Sequence, residues 1–209
     1  MQIGQINLDC DFGQELKRAA KHCKTIVEIG TWNGMGSTNC ILSGINVNTN
    51  FISIELIKEM YDQAVKNLSG KPVKLLNGTI ITHEDINWFD IEDHKKNCLP
   101  IELEHFELYY KKEIEALKTA KNVLHELPES IDLLILDGGE YSTYPEWQLL
   151  KDRVSIVALD DTNLLKTKKI KQELIKSDDW IMHWESFERN GCSIFFRSTG
   201  RINEDSSSN

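Results

Sequence analysis

The sequence predicts an α/β fold: a three-layer sandwich in which helices flank a mostly parallel seven-stranded sheet with an antiparallel last strand. Three observations predict it. Short apolar runs alternate with stretches of helical spacing, and a glycine-rich turn joins the first such run to a helix. The chain closes on two strand-like runs around Asn190-Gly191, a strong hairpin signal. At about 150 residues per domain, the 209 residues suit one core. We place that domain at residues 1–199 and expect the polar tail 200–209, with Ser206-Ser-Ser208, to be disordered.

Between Asp9 and Cys23, Phe12, Leu16, Ala19 and Ala20 fall at helical spacing, so a helix opens the chain. Thr25-Ile-Val-Glu-Ile29 is a short buried strand, and the turn after it leads into a helix starting near Ser37. Asn50-Phe-Ile-Ser-Ile-Glu55 is the second strand, residues 58–68 the next helix, and Val73-Lys-Leu-Leu76 a third strand closed by Asn77-Gly78. Ile131-Asp-Leu-Leu-Ile-Leu136 and Val154-Ser-Ile-Val-Ala-Leu159 are the two strongest buried strands, and each runs directly into acidic residues. A helix follows with Ile170, Leu174 and Ile175 as its buried stripe, and then the hairpin strands Trp180-Ile-Met-His-Trp184 and Cys192-Ser-Ile-Phe-Phe-Arg197.

Residues 79–130 separate the third and fourth strands, far more than the usual two to six or so residues of such connections. This helical insertion carries Leu103, Phe106, Tyr110, Ile114 and Leu117 at helical spacing over 101–127, as one long or two shorter helices, after a loop with Trp88 and Phe89. It is a lid, a partner surface or a plain connection.

A net charge of −9 argues against general attraction to nucleic acid, and a neutral or cationic small-molecule or glycan acceptor fits better. No apolar run reaches the roughly 20 residues of a spanning helix, and Met1-Gln-Ile-Gly-Gln lacks the basic and apolar regions of a signal peptide. We therefore expect a cytoplasmic protein without membrane contact, and a homo-oligomer is compatible with its composition. The five cysteines, Cys10, Cys23, Cys40, Cys98 and Cys192, form no C-x-x-C pair, so buried thiols are expected rather than disulfides or zinc ligands.

In an open parallel sheet, ligands gather beyond the carboxyl ends of the strands. There, Gly30 and Gly34 allow a sharp turn and close approach of a ligand, and Ser37 can cap or donate. Glu55 ends the second strand about 25 residues after Gly30, a spacing suited to accepting from ribose hydroxyls. The pattern Gly30-x-x-x-Gly34-x-Gly36 lacks the G-x-G-x-x-G needed for a pyrophosphate, so a nucleoside is favoured over a dinucleotide. The competing reading is that these glycines only serve helix–strand packing.

Here the sequence resembles the class I S-adenosylmethionine (SAM)-dependent methyltransferases, whose fold is Rossmann-like. Glu28-Ile-Gly30-Thr31-Trp32-Asn-Gly34 is similar to their first motif, and the resemblance runs from about Ile26 to Arg197. It implies that Glu28 and the glycine turn hold the methionine part of SAM, that Glu55 takes both ribose hydroxyls, and that Asn77-Gly78-Thr79 lies near the adenine. The closing hairpin matches the family's inverted last strand.

Asp137 follows the fourth strand and Asp160-Asp161 the fifth, and neighbouring strands lie about 4.8 Å apart. Three converging carboxylates with no basic residue immediately beside them would repel one another, and a hard divalent cation, Mg2+ or Mn2+, would relieve that. The alternative is a solvated acidic rim. At these residues Leu136-Asp-Gly-Gly-Glu-Tyr-Ser-Thr143 with Leu159-Asp-Asp-Thr162 resembles metal-dependent O-methyltransferases, most closely the macrocin-type sugar enzymes and more distantly the catechol and caffeoyl-CoA enzymes. The resemblance implies Asp137, Asp160 and Asp161 as metal ligands that bring two acceptor hydroxyls toward the sulfonium methyl.

The sequence departs from that pattern where the family carries its proton acceptor. Gly139 and Asn163 stand where sugar enzymes often have Asp and His, and Glu140 where catechol enzymes have Lys. We assign the general base to Glu140, with fourth ligand or substrate contact as its alternatives and His83 and His183 in reserve. Tyr141, Tyr144 and Trp147 make either a platform for a sugar ring or core, with Trp147 favoured as core. Trp32 packs over the nucleoside or wedges its loop. Lys166-Thr-Lys-Lys-Ile-Lys171 is by default a solvated helix face, otherwise a contact for an anionic acceptor. The reading as a whole is a metal-assisted O-methyltransferase of a polyhydroxylated acceptor, with a metal-independent protein or RNA methyltransferase of the same fold as its rival.

Overall fold

Apolar runs rich in β-branched residues form the strands, and polar stretches of helical period cross between them. The computed structural model describes residues 4–91 and 100–198; the predicted tail at 200–209 and Cys98 lie outside them. In chain order the elements are α1 (Asp11–Ala20), β1 (Thr25–Ile29), α2 (Ser37–Leu42), β2 (Asn50–Glu55), α3 (Lys58–Asn67) and β3 (Lys74–Asn77). After them come α4 (Pro100–Thr119), β4 (Ile131–Leu136), α5 (Thr143–Leu150), β5 (Val154–Asp160), α6 (Leu165–Lys176), β6 (Trp180–Ser186) and β7 (Cys192–Arg197).

The seven strands form one sheet in the order β3-β2-β1-β4-β5-β7-β6. β1 to β5 are parallel where they pair, and β7 runs antiparallel to both β5 and β6. The strand order reverses between β1 and β4, which pair directly, and in open sheets of this kind ligands gather at the carboxyl ends of that point. Each face of the sheet has its own core. Val27, Ile52, Leu134 and Val157 face α4, α5 and α6, whereas Ile26, Phe51, Leu133 and Ile135 face α1 and α2. Alternation along the strands produces this split, and parallel strands covered on both faces need apolar residues at every position.

The described parts of residues 79–130 pack onto the core. α4 buries Phe106 and Leu117, and the chain then returns to β3, where Thr79 bridges Asn122. The helical spacing read over 101–127 becomes α4 followed by a 3-10 turn, Leu124–Glu126. Phe89, Phe106, Tyr110 and Tyr141 pack ring against ring, with Phe106 and Tyr110 stacked at 5.8 Å. On α6 the buried stripe is Lys166, Thr167, Ile170 and Leu174, and Ile175 is 57% exposed, contrary to expectation. The stripe steps by four residues from Lys166, and Ile175 lies about 100° around the helix from Leu174. Cys10, Cys23, Cys40 and Cys192 are free thiols, all but Cys10 buried.

Trp147 is 2% exposed and meets Trp180 edge-on at 5.6 Å, tying α5 to the far end of the sheet. Truncating a buried tryptophan costs about 3–5 kcal/mol. We therefore expect Trp147→Ala to lose that much stability in urea denaturation; a loss below about 1 kcal/mol would show that this contact is not part of the core.

Candidate active site

The turn after β1 is held by buried hydrogen bonds. Glu28 is fully enclosed, and its carboxylate accepts from Ser37 Oγ at 2.6 Å, Thr38 Oγ1 at 2.7 Å and Ser53 Oγ at 2.5 Å. Burial pushes its carboxyl above the usual range, against the three hydroxyls that favour the charged form. Glu28 and Ser37 thus bind each other and anchor the turn from beneath. Thr31 continues the network with a 2.5 Å contact between its Oγ1 and Ser53 Oγ.

Gly30 has φ +102°, and a Cβ there would meet the carbonyl oxygen of Asp137 at 2.1 Å. The turn after β1 and the start of the loop after β4 therefore touch backbone to backbone. At Gly34, φ +78°, a Cβ would strike Leu68, and at Gly78 one would strike the carbonyl of Lys121. The chain's own packing thus demands all three glycines, whatever binds beside them.

Glu55 is 7% exposed, and its carboxylate accepts the backbone N–H of Trp32 at 2.6 Å and of Ile57 at 2.8 Å. Burial pushes its carboxyl up to about 7, opposed by those two donors. Trp32 is half-buried with a left-handed backbone, φ +51°, and donates its N–H to Glu55. Gly78 donates to the carbonyl of Glu55 at 3.0 Å, and Thr79 exchanges backbone hydrogen bonds with Lys121 and Val123. Glu28, Gly30, Thr31, Trp32, Gly34, Ser37 and Glu55 therefore share one edge of the sheet, with Gly78 and Thr79 on the adjoining strand end.

Asp137, Asp160 and Asp161 each offer an oxygen within 4.8 Å of the others. The expectation that no basic residue stands beside them is overturned. Lys166 Nζ lies 3.0 Å from Asp137 Oδ1 and 2.9 Å from Asp161 Oδ2, and Arg189 Nη2 reaches both oxygens of Asp160 at 3.1 and 2.8 Å. Lys166 is thus buried instead of belonging to a solvated helix face. It comes from α6 and Arg189 from the β6–β7 turn, so adjacency in sequence hid both. Cys192 Sγ also donates to Asp160 Oδ1 at 3.1 Å, and Asn190 Nδ2 to Asp161 Oδ1 at 3.0 Å.

These contacts divide the three acids. Asp137 is pushed up to about 7 by burial and by Asp160, against the pull of Lys166. Asp161 is held below the usual carboxylate range, because Lys166, Asn190 and Arg189 outweigh its burial. Its backbone is left-handed, φ +56°, an uncommon state for a residue with a side chain.

Glu140 accepts the backbone N–H of Lys166 at 3.2 Å, and its carboxyl is raised by burial against the attraction of Lys166. It thereby serves the first turn of α6, which has no side-chain cap of its own. The reserve histidines stand elsewhere: His83 lies in a 3-10 turn after β3, and His183 on the outermost strand stacks on Phe196. Tyr141, Tyr144 and Trp147 are all buried, so none offers an open platform.

Two buried acids that sequence reasoning missed stand at the loop after β4, and one of them holds it. Glu113 of α4 accepts the N–H of Ser142 at 2.7 Å and of Tyr141 at 3.2 Å, reaching across from the 79–130 segment. Glu146 is 4% exposed, and its Oε2 has no hydrogen-bond partner among the described residues. That oxygen lies 3.5 Å from where a Cβ on Gly138 would sit. Neither had a signal in the sequence, since both read as polar positions of ordinary helices.

The strand order, the inverted β7 and the crevice beside β1 and β4 are those of the class I methyltransferase fold. No family model and no curated protein matches the chain. Among solved structures, it is similar to an O-methyltransferase from Bacillus cereus in complex with SAH, at 12% identity and TM-score 0.59, covering 94% of this chain and 84% of that one. It is also similar to the O-methyltransferase TomG from Streptomyces achromogenes in complex with SAM, at 11% identity and TM-score 0.56, covering 89% and 79%. A methyltransferase from Geobacter sulfurreducens matches at 12% identity and TM-score 0.56, covering 88% and 77%. At these identities the likeness defines the fold.

Burial, and after it Glu113, pushes the Glu146 carboxyl up to about 8 from 4.5. A carboxyl raised on folding favours the folded state at low pH, and that advantage is lost as the pH rises through the folded value. Stability should therefore fall between pH 4.5 and about 8. Glu146→Gln should flatten this slope, so that its melting temperature drops less between those limits than the wild type's, by at least about 3 °C. Parallel melting curves across that range would count against an ionising Glu146.

Proposed function

We propose that this protein is a SAM-dependent O-methyltransferase, and that it methylates a hydroxyl of a small polyhydroxylated acceptor, a sugar of a glycan or glycoside, with the help of Mg2+ or Mn2+. One observation carries the reading: Asp137, Asp160 and Asp161 converge at the ends of β4 and β5, and Asp137 touches the turn at Gly30. The names of the similar structures support it, since two are O-methyltransferases and one of these holds SAM. The sugar acceptor rests on the likeness of Asp160-Asp161 and its surroundings to the macrocin-type motif.

The residues fit both groups. Among the described residues Glu55 accepts two backbone donors, so its carboxylate keeps lone pairs for two ribose hydroxyls. Three carboxylate oxygens are the donor set of a hard cation, and Lys166 between Asp137 and Asp161 shows that this point holds positive charge. When bound, SAM supplies an electrophilic methyl, and the cation orients two acceptor oxygens and stabilises the one that loses its proton. Glu140 faces the same loop, and its raised carboxyl suits it to take that proton. Gly30 keeps the turn tight against Asp137, so the cofactor edge and the acid cluster are held at fixed spacing.

A metal-independent transfer is the second reading, favoured by the two cations, Lys166 and Arg189, that already neutralise the acids. Turnover of labelled SAM with a panel of sugars, glycosides and catechols, with and without chelator, separates the two. We expect transfer to sugars that stops with chelator and returns with Mn2+; transfer indifferent to chelator would sink the metal assignment.

Asp137→Ala should lower transfer by at least about 100-fold while SAM still binds in calorimetry. Unchanged turnover would remove Asp137 from the chemistry. Glu55→Ala should weaken SAM binding by at least about tenfold, as expected for lost hydrogen bonds to a charged group. Equal affinity would place the ribose elsewhere.

A further inference from the structure

Lys166 is the least expected resident of the acid cluster. Its side chain is 7% exposed, and its ammonium bridges Asp137 and Asp161, which come from two different strand ends. A lysine normally buries its stem and leaves its charge in water; this one buries the charge. Two features keep it there. Glu140 holds its backbone N–H at 3.2 Å, and Thr167 beside it donates to the carbonyl of Asp160 at 2.6 Å, pinning the first turn of α6 to the end of β5.

The Asp137 and Asp161 oxygens that hold this ammonium belong to the carboxylates that would hold a divalent cation. An ammonium and a dication a few ångströms apart in a buried site repel strongly, so both cannot occupy it. Arg189 competes less for these two acids, because its close contacts are to Asp160 and it reaches Asp161 only at 3.8 Å. The four-carbon stem of a lysine can swing its charge away without unwinding the helix, and its ammonium is readily rehydrated.

We infer that Lys166 is a built-in counter-ion that competes with the metal: the ammonium neutralises Asp137 and Asp161 when no metal is bound, must leave for a divalent cation to bind, and thereby sets the metal affinity of the site. This inference rests on the metal reading above. It makes the cluster self-sufficient in the absence of metal, so the protein folds before loading. It also makes the site weak for metal relative to three bare carboxylates.

The test compares the full-length wild type with Lys166→Met, which keeps the stem and removes the charge, and with Lys166→Gln, which keeps a polar tip. Mn2+ binding is measured by titration calorimetry, and melting is followed in chelator and in excess Mn2+. Losing a competitor that makes two charge-assisted bonds should tighten Mn2+ binding by at least about tenfold in both variants. In chelator both variants should melt below the wild type, because three acids then face only Arg189, and Mn2+ should restore them. Equal Mn2+ affinity in all three proteins would overturn the competition while leaving the metal reading intact. Absence of Mn2+ binding in all three would overturn both. Asp137→Asn fixes the location, since Mn2+ binding should be lost in that variant, and binding that survives it would place the metal outside the cluster and overturn the inference.

Discussion

Three carboxylates within 4.8 Å of one another repel, and the carboxyl edge of this sheet is built around containing that repulsion. β4 and β5 are adjacent, so their terminal acids meet whether or not the charges agree. The remaining elements answer the charge. α6 brings Lys166, and the β6–β7 turn brings Arg189 and Asn190. The hairpin turn is in turn fastened to the acid segment, since Thr162 and Asn163 donate to the carbonyls of Gly191 and Asn190. Removing the acids would strip Lys166 and Arg189 of their partners, whereas α6 would still bury Ile170 and Leu174 and the apolar strands would still pair.

Much of this was legible in the sequence. Strands such as Ile131–Leu136 are too apolar and too short for any other placement, and β4 and β5 each pass directly into acid, which marked Asp137, Asp160 and Asp161. The compensating cations were not legible. Lys166 sits in a run of lysines whose other members give the look of a solvated face, and only the packing of α6 against β5 singles it out. Arg189 occupies a turn, where charge is ordinary. Tyr141 and Tyr144 were ambiguous between platform and core, because tyrosines beside an acid motif look like a binding platform and only Tyr110 and Trp88 packed on them show what covers them.

The glycine-turn edge and the acid cluster use buried charge differently. Glu28 carries hydroxyl donors on both oxygens, so it acts as a rivet beneath the glycine turn. Among the described residues Glu55 is bound by backbone N–H groups alone, and its carboxylate keeps accepting capacity. Glu113 acts in a third way, gathering from α4 the amides that open the loop into α5. The long crossover is therefore mechanically part of the site, because the loop carrying Glu140 is gripped from it.

Among the described residues, the non-glycine positions with left-handed backbones are Trp32, Asp161 and Arg189. All three belong to the same edge: one donates to Glu55, one is an acid of the cluster, and one neutralises that cluster. Strain of this kind costs about 1–3 kcal/mol per residue, and glycine would relieve it only by deleting the side chain that the conformation presents. The surrounding packing therefore has to offset this torsional cost at the carboxyl edge. Selection for a sturdier fold alone would erode these three positions first, and the crevice would lose its shape before the protein lost its stability.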